Sequence, residues 1–489
     1  MLNTTILDDA PWQGRIFTGS WHEARGGVST VLEPATGATL GIVGAAGIED
    51  LTDSLEQARD AQRTWAAAPY SERAAVMRRA GDLWQRHSRE VEHWLIREAG
   101  ATRAKATYEV RGAAAECFEA SSLPSHPLGE VIPSERAWMS MTRRLPVGVV
   151  AVIAPFNAPL KLAIRSVAPA LALGNAVILK PDPRTAVSGG VTLARIFEEA
   201  GLPAGVLHVL PGAADVGLAL VDHPAVRAVS FTGSTAAGRA VGQIAARRFI
   251  HTHLELGGNN ALIVLEDADL DRAVGAAMQG TFFHQGQVCM ASSRHLVHES
   301  IYEEFVQRLA DQTAQLTVGD PAVEDVALGP IIDDRQRDKI HALVTDSVQA
   351  GAKLITGGSY EGLFYRPTVL ADSGPGIPAY DSEVFGPVAA VARFSTLDEA
   401  AHLASDSEYG LSLGILTSDV TTGLALAERI PTGTAHINDQ TINDEANAPF
   451  GGMFDSGTAT RFGGAHANIE AYTETRWITV RQETPAYAM

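Results

Sequence analysis

Between Val147 and Leu256 short apolar runs alternate with amphipathic stretches. The runs at 149–154, 176–179, 206–210 and 226–231 are continuous and end at turn residues, which predicts strands buried on both faces. Residues 188–200 carry apolar side chains at helical spacing and stop at Gly201 and Pro203. Strand and helix in alternation predict βαβ units around a parallel sheet. The same rhythm returns later, with helices expected over 269–284, 301–316 and 337–350 and strands over 388–394 and 411–416. The Ala/Arg/Glu-rich pattern of 50–112 predicts a mostly helical segment before Val147. Residues 133–146 read as a hairpin arm, and chain breaks are expected near Leu256-Gly257-Gly258 and near 446–449.

Composition narrows the function classes. The 489 residues hold 38 Lys+Arg against 57 Asp+Glu, a net charge of −19. At roughly 150 residues per domain, about three domains are expected. With 46% hydrophobic and 19% charged residues the chain has ample apolar surface for a core, which excludes disorder as its main state. The acidic surplus repels phosphate, so non-specific nucleic-acid binding is not expected. A membrane role is not expected either, because the apolar run 147–154 is far too short to span a bilayer. Met1 to Ile16 shows no basic-then-apolar targeting pattern. Two cysteines, Cys117 and Cys289, exclude a disulfide framework and a cysteine-rich zinc site. No metal is expected, and the cytoplasm, where both thiols stay reduced, is the expected compartment.

Four stretches carry candidate chemistry. Ser230-Phe231-Thr232-Gly233-Ser234-Thr235-Ala236-Ala237-Gly238 follows an expected strand and opens a helix. Exposed amides and a helix dipole at that start suit a pyrophosphate, although the spacing also fits a plain strand-to-helix turn. In Leu254-Glu255-Leu256-Gly257-Gly258-Asn259-Asn260 the Glu255 carboxyl lies between apolar neighbours, where desolvation raises its pKa toward that of a base. Alone, that stretch fits a solvent-facing strand end better. Gln285-Gly286-Gln287-Val288-Cys289-Met290 places Cys289 in a loop after a helix, a setting that suits a nucleophile, although a free cysteine is more often an inert buried thiol. Cys117, inside the helical run 113–120, reads as an inert buried thiol. In Ala154-Pro155-Phe156-Asn157-Ala158-Pro159, Asn157 follows the C-terminal end of a strand, where open α/β sheets bind ligands, and its amide suits an oxyanion. A Pro-bounded turn is the plainer reading of that stretch.

Together and in this order, the four stretches resemble the NAD(P)-dependent aldehyde dehydrogenase superfamily. Leu179-Lys180-Pro181, Glu383-Val384-Phe385-Gly386-Pro387 and Pro449-Phe450-Gly451-Gly452 match as well, so the resemblance runs from about Ala24 to Ile478. Within the superfamily, 165–175, 284–291 and 436–440 are most similar to the bacterial benzaldehyde dehydrogenases. The resemblance implies an α/β aldehyde dehydrogenase-like fold in three parts. These are a Rossmann-like cofactor domain (1–132 and 147–256), an α/β catalytic domain (257–446) and a small β oligomerisation arm (133–146 and 447–489) of a homodimer or homotetramer. It implies Cys289 as nucleophile, Glu255 as base, and Asn157 with the Cys289 backbone N–H as oxyanion donors. For the cofactor it implies Lys180 at the adenosine ribose, Gly233, Ser234 and Gly238 at the pyrophosphate turn, Glu383 at the nicotinamide ribose and Phe385 beside the nicotinamide. The implied reaction oxidises a benzaldehyde-like aromatic aldehyde to its acid with NAD, NADP being possible.

Three departures matter. Pro183 stands where NAD-preferring relatives often carry Glu, and Arg184 beside it would favour a 2′-phosphate if it points inward, whereas Asp182 would oppose one. Arg165 replaces an aromatic residue and would suit an acidic or semialdehyde substrate if it reaches the pocket. Phe454 and Asp455 alter the turn before Ser456-Gly457, a possible subunit contact. Phe156, Phe282 and Phe283 lean toward a flat apolar substrate and equally fit core positions. An aliphatic or semialdehyde dehydrogenase is the second reading. A non-catalytic cofactor-binding protein is the third, and the joint presence of Cys289, Glu255 and Asn157 argues against it.

Overall fold

In a computed structural model, residues 5–7 and 11–487 are described. The parts of the Met1–Ile16 reading at 1–4 and 8–10, and the last two residues of the expected arm, lie outside them. Two seven-stranded sheets form the frame. In the first, His251–Glu255, Val226–Thr232, Val149–Ile153, Ala176–Lys180 and Leu207–Val209 lie side by side in that order, all parallel. Arg15–Phe17 and Trp21–Glu23 extend the edge in antiparallel fashion. The strand order reverses at Val149–Ile153, whose two neighbours follow it in sequence by one unit and by three. A sheet opens a crevice at the C-terminal ends of its strands at such a reversal. Asn157 leaves one of these strand ends and Gly233 the other.

These strands form because they are apolar throughout. All five residues of Ala176–Lys180 are buried, as expected for a parallel sheet covered on both faces. Helices Ile48–Ala67 and Thr235–Arg248 flank the sheet, as do Pro159–Ala172 and Arg103–Ala120, which pack on each other. The start of Pro159–Ala172 is closed by Glu109, whose Oε2 accepts the Leu160 and Lys161 amides at 3.1 and 3.2 Å. Lys105 bonds the other oxygen of that buried carboxylate. Its amides are thereby satisfied within the fold, leaving the start of Thr235–Arg248 to face the crevice.

The second sheet runs Lys353–Thr356, Thr368–Ala371, Val388–Phe394, Ser292–His298, Asn260–Val264, Ser412–Leu416, Thr434–Ile437, parallel except for its first member. A separate ribbon pairs Met139–Pro146 with Thr473–Val480 over eight residue pairs. On the other edge of Met139–Pro146, backbone bonds from Arg144 to Leu128 and from Ile132 to Ser140 close a hairpin that begins five residues earlier than the sequence suggests.

Two helices differ from the pattern. The expected helix 188–200 opens as a π-turn, Val187–Val191, before Thr192–Glu199. Buried Glu98 accepts the Val187 and Ser188 amides there and widens the turn. The expected helix 269–284 stops at Phe282, because His284 and Gln285 take left-handed backbone angles (φ 50° and 56°). Such angles cost of order 1–3 kcal/mol each. The cost is offset where Gln285 Nε2 donates to the Gly100 and Pro330 carbonyls, both at 2.9 Å. This break turns the chain toward Cys289. Among the described residues no helix is long and apolar enough to cross a membrane.

Candidate active site

A cleft of about 320 Å³ lies between the two sheets. Its walls include Asn157, Lys180, Gly233, Ser234, Cys289, Glu383 and Phe385, seven of the nine site residues expected from the sequence. Cys289 is half-buried on the loop just before Ser292–His298. That loop is pinned by Asn260, whose Nδ2 donates to the Cys289 and Ala291 carbonyls at 2.8 and 2.9 Å. Gly258 makes the approach possible, since a Cβ there would fall 2.5 Å from the Cys289 carbonyl oxygen. A Cβ on Gly257 would likewise meet Glu383 at 2.5 Å. Burial, with the Glu383 and Glu255 carboxylates nearby, pushes the Cys289 thiol up to about 12. Cys117 is fully buried in Arg103–Ala120, and burial raises its thiol further still.

Asn157 is buried and donates one Nδ2 hydrogen to the Gln287 carbonyl at 2.8 Å. An amide nitrogen carries two hydrogens, so the second is available to an oxygen beside Cys289. Glu255, at the end of His251–Glu255, lies behind the cleft wall, fully buried. Desolvation raises its carboxyl pKa well above the usual range, against the pull of Arg165 and Arg461. Its Oε1 is 3.2 Å from His253 Nε2, and Oε2 has no partner among the described residues.

The cofactor side of the cleft fits a dinucleotide by its donor set. Lys180 is buried, its pKa lowered by desolvation, and its ammonium reaches the Pro181 carbonyl at a marginal 3.5 Å. That leaves donors for ribose hydroxyls. Ser234 caps Thr235–Arg248, leaving the first amides of a 14-residue helix at the cleft for a phosphate. Glu383 lines the cleft as well, its Oε1 accepting the Gly258 amide at 3.1 Å. Gly238 is placed differently from the expectation. It sits outside the cleft wall and brings the helix against Leu256, where a Cβ would lie 2.3 Å from a methyl group.

The structure shows the surroundings of the three departures. Arg184 lines the cleft, but its guanidinium is committed to Asp182 at 2.8–2.9 Å and to Asp333 at 2.6 Å, and it stacks on Phe156. It therefore points inward, with its charge already paired by two carboxylates. Arg165 is fully buried, paired with Asp444 and Glu116 and lying over Phe450. With its charge already balanced, it offers no free cation to an acidic substrate. The turn at 453–457 contacts its own chain: Met453–Phe454 pairs with Tyr409–Gly410, Arg239 bonds Asp455, and Gly457 bridges Glu255.

Beyond Arg165 a second cavity of about 780 Å³ opens, walled by Tyr108, Glu116, Phe118, Lys161 and Asp444 among others. Lys161 Nζ bonds Tyr108 Oη at 2.8 Å and Asp444 at 3.0 Å. Phe450, beneath Arg165, packs in the small apolar cluster that includes Cys289. Sequence reasoning assigned no role to Asn260, Asp444 or His253. Asn260 had a visible signal, since it follows the Gly257-Gly258 pair. Asp444 had none, because its partners are far away in the chain.

The chain belongs to the aldehyde dehydrogenase family, whose model matches residues 21–478. It is 68% identical over 483 residues to a vanillin dehydrogenase of Amycolatopsis sp., covering 99% of each chain. It is 49% identical over 477 residues to the benzaldehyde dehydrogenase [NAD(+)] of Pseudomonas putida, covering 97% of this chain and 98% of that one. A solved salicylaldehyde dehydrogenase from Pseudomonas putida G7, complexed with salicylaldehyde, superposes with a TM-score of 0.94 at 34% identity, covering 97% and 99% of the two chains.

Proposed function

We propose that this enzyme oxidises aromatic aldehydes to carboxylic acids with NAD, through a covalent intermediate on Cys289. One observation carries the reading: Cys289 and Asn157 share a cleft with Lys180, the Ser234 helix start and Glu383. The aromatic class rests on the similarity to vanillin, benzaldehyde and salicylaldehyde dehydrogenases. The paired state of Arg165 weighs against the semialdehyde alternative.

The residues divide the chemistry as follows. A planar aldehyde carbon releases hydride poorly. The Cys289 thiol first loses its proton to solvent; addition of the resulting thiolate makes that carbon tetrahedral and places the negative charge on its oxygen. The second Asn157 N–H and the Cys289 backbone N–H receive that charge, each donor of this kind being worth ~3 kcal/mol. NAD, when bound, is the acceptor of the hydride that then leaves the carbon. The carbon is left as a thioester of Cys289. Glu255 takes a proton from water, the hydroxide oxygen bonds to the acyl carbon, and the C–S bond breaks to release the acid and restore the sulfur. Lys180, Ser234 and Glu383 bind and orient the dinucleotide.

Asn157→Ala is expected to slow the first hydride transfer by about 10²–10³-fold, the usual cost of one oxyanion donor. Stopped-flow absorbance of reduced cofactor reads this, and an unchanged rate constant removes Asn157 from the mechanism.

A substrate panel tests the function itself. Benzaldehyde is expected to exceed hexanal and succinic semialdehyde in kcat/KM by at least tenfold, a difference of about 1.4 kcal/mol. In the same panel NAD is expected to exceed NADP by about tenfold or more, because Asp182 and Asp333 present carboxylates where Arg184 would otherwise meet a 2′-phosphate. A preference for hexanal overturns the aromatic assignment, and a preference for NADP overturns the cofactor assignment.

We also assign 1–132 with 147–256 to cofactor binding, 257–446 to the catalytic domain and 133–146 with 447–489 to an arm that joins copies into a homodimer or homotetramer. Supporting the arm, the ribbon exposes Met139, Trp477 and Val480, an apolar set that solvent disfavours. The cytoplasm is the compartment that suits two free thiols.

A further inference from the structure

A fully buried carboxyl group poses a problem for a base. Desolvation favours its protonated form, and a protonated Glu255 cannot take a proton from water. The surroundings therefore have to keep the carboxylate. Arg165, from helix Pro159–Ala172, and Arg461, from the loop before Gly464–Tyr472, face it with positive charge, while Asp444 opposes them. Cys289 lies across from it, with Glu383 beyond. Among the described residues, His253 is the one side chain within hydrogen-bonding distance of the carboxyl group, at 3.2 Å. It sits two residues earlier on the same strand, so both side chains emerge on one face.

His253 is built into that place. Its ring is buried and stacks flat on Phe462, with centroids 3.5 Å apart and planes within 14°. Gly451 leaves the carboxyl group its room, since a Cβ there would stand 2.9 Å from Glu255 Oε1. Burial and the same two arginines hold the imidazole neutral, with its pKa pushed down to about 3. A neutral imidazole carries one N–H, and the carboxylate oxygen is the acceptor facing Nε2.

We propose that His253 is a positioning residue for the base: its Nε2–H donates to Glu255 Oε1, fixes the side chain's rotamer and sustains the carboxylate that water activation requires. The inference rests on Glu255 acting as the base. It predicts that loss of the donor lifts the Glu255 pKa, so the acid limb of thioester hydrolysis moves to higher pH. A hydrogen bond to a charged group corresponds to a shift of about 1–2 pH units.

The test measures two rates in single turnovers with benzaldehyde and NAD, between pH 6 and 9.5. Absorbance gives hydride transfer, and quenched samples give acid formation. In His253→Leu, the acid limb of acid formation is expected to rise by about 1–2 units, a loss of about 10–100-fold on that limb. Hydride transfer should stay within about twofold. His253→Gln, which keeps an N–H donor, is expected to recover most of the loss. A general packing defect would slow both rates and shift neither profile. Should His253→Leu yield no reduced cofactor, His253→Asn, whose shorter amide falls away from Oε1, provides the same comparison. An unmoved acid limb in the donor-less variant overturns the role of His253, as does a glutamine variant no better than leucine. Glu255→Gln separates the two ideas. If it retains wild-type acid formation, the base assignment itself fails; if it is slow while the His253 variants keep a wild-type profile, the His253 inference alone fails.

Discussion

Cys289→Ala is expected to abolish aldehyde oxidation, lowering kcat by about 10⁴-fold or more, because among the described residues lining the cleft Cys289 alone carries a thiol. Dinucleotide binding, read by fluorescence quenching, should persist, since Lys180, Ser234 and Glu383 are untouched. Cys117→Ala should keep most of the activity: that sulfur is fully buried in helix Arg103–Ala120, away from the cleft. Cys289 has a further signature. Its thiol is pushed up to about 12 by burial and by two carboxylates. Below that value the thiolate fraction grows about tenfold per pH unit, so inactivation of the cofactor-free enzyme by iodoacetamide should climb with pH, with no plateau below about pH 10. Mass spectrometry should place the label on Cys289. A label on Cys117, or residual turnover in Cys289→Ala, refutes the nucleophile assignment.

The second large effect belongs to Glu255→Gln. The substitution keeps the shape and an oxygen but removes the base. General-base contributions are typically 10²–10⁴-fold, so acid release should slow by that much. Hydride transfer precedes the hydrolytic step and should change far less. Reduced cofactor is then expected in a burst of about one equivalent per site, followed by a slow steady state. Equal losses in burst and steady state would show that Glu255 also serves the first half-reaction. The sign of the pH effect follows from burial, which raises the folded carboxyl pKa. Carboxylate is lost as pH falls through that raised value, so wild-type hydrolysis declines on the acid side earlier than an ordinary carboxyl group would dictate.

Local order was legible in the sequence because its causes are local. Apolar runs bounded by turn residues marked Val388–Phe394 with its observed limits and Ala176–Lys180 to within one residue. Cys289, Glu255 and Asn157 stood out through their immediate neighbours, the glycines and the strand ends. The order of these motifs along the chain was enough to carry the family resemblance, and the fold class with it. What a residue touches far away in sequence was not legible. Asn157 meets Gln287 across 130 positions and Arg165 meets Asp444 across 279. Neither pair leaves a periodic or spacing signal. Tertiary structure alone decided that Arg184 is spent on Asp182 and Asp333, that Arg165 is neutralised, and that the turn at Phe454 folds against its own chain. It also placed His253 against Glu255, both of them buried. The sequence determined which reactive groups this protein carries and which strands and helices bear them. The packing around these groups determined their surroundings, since desolvation and pairing depend on neighbours that chain order does not list.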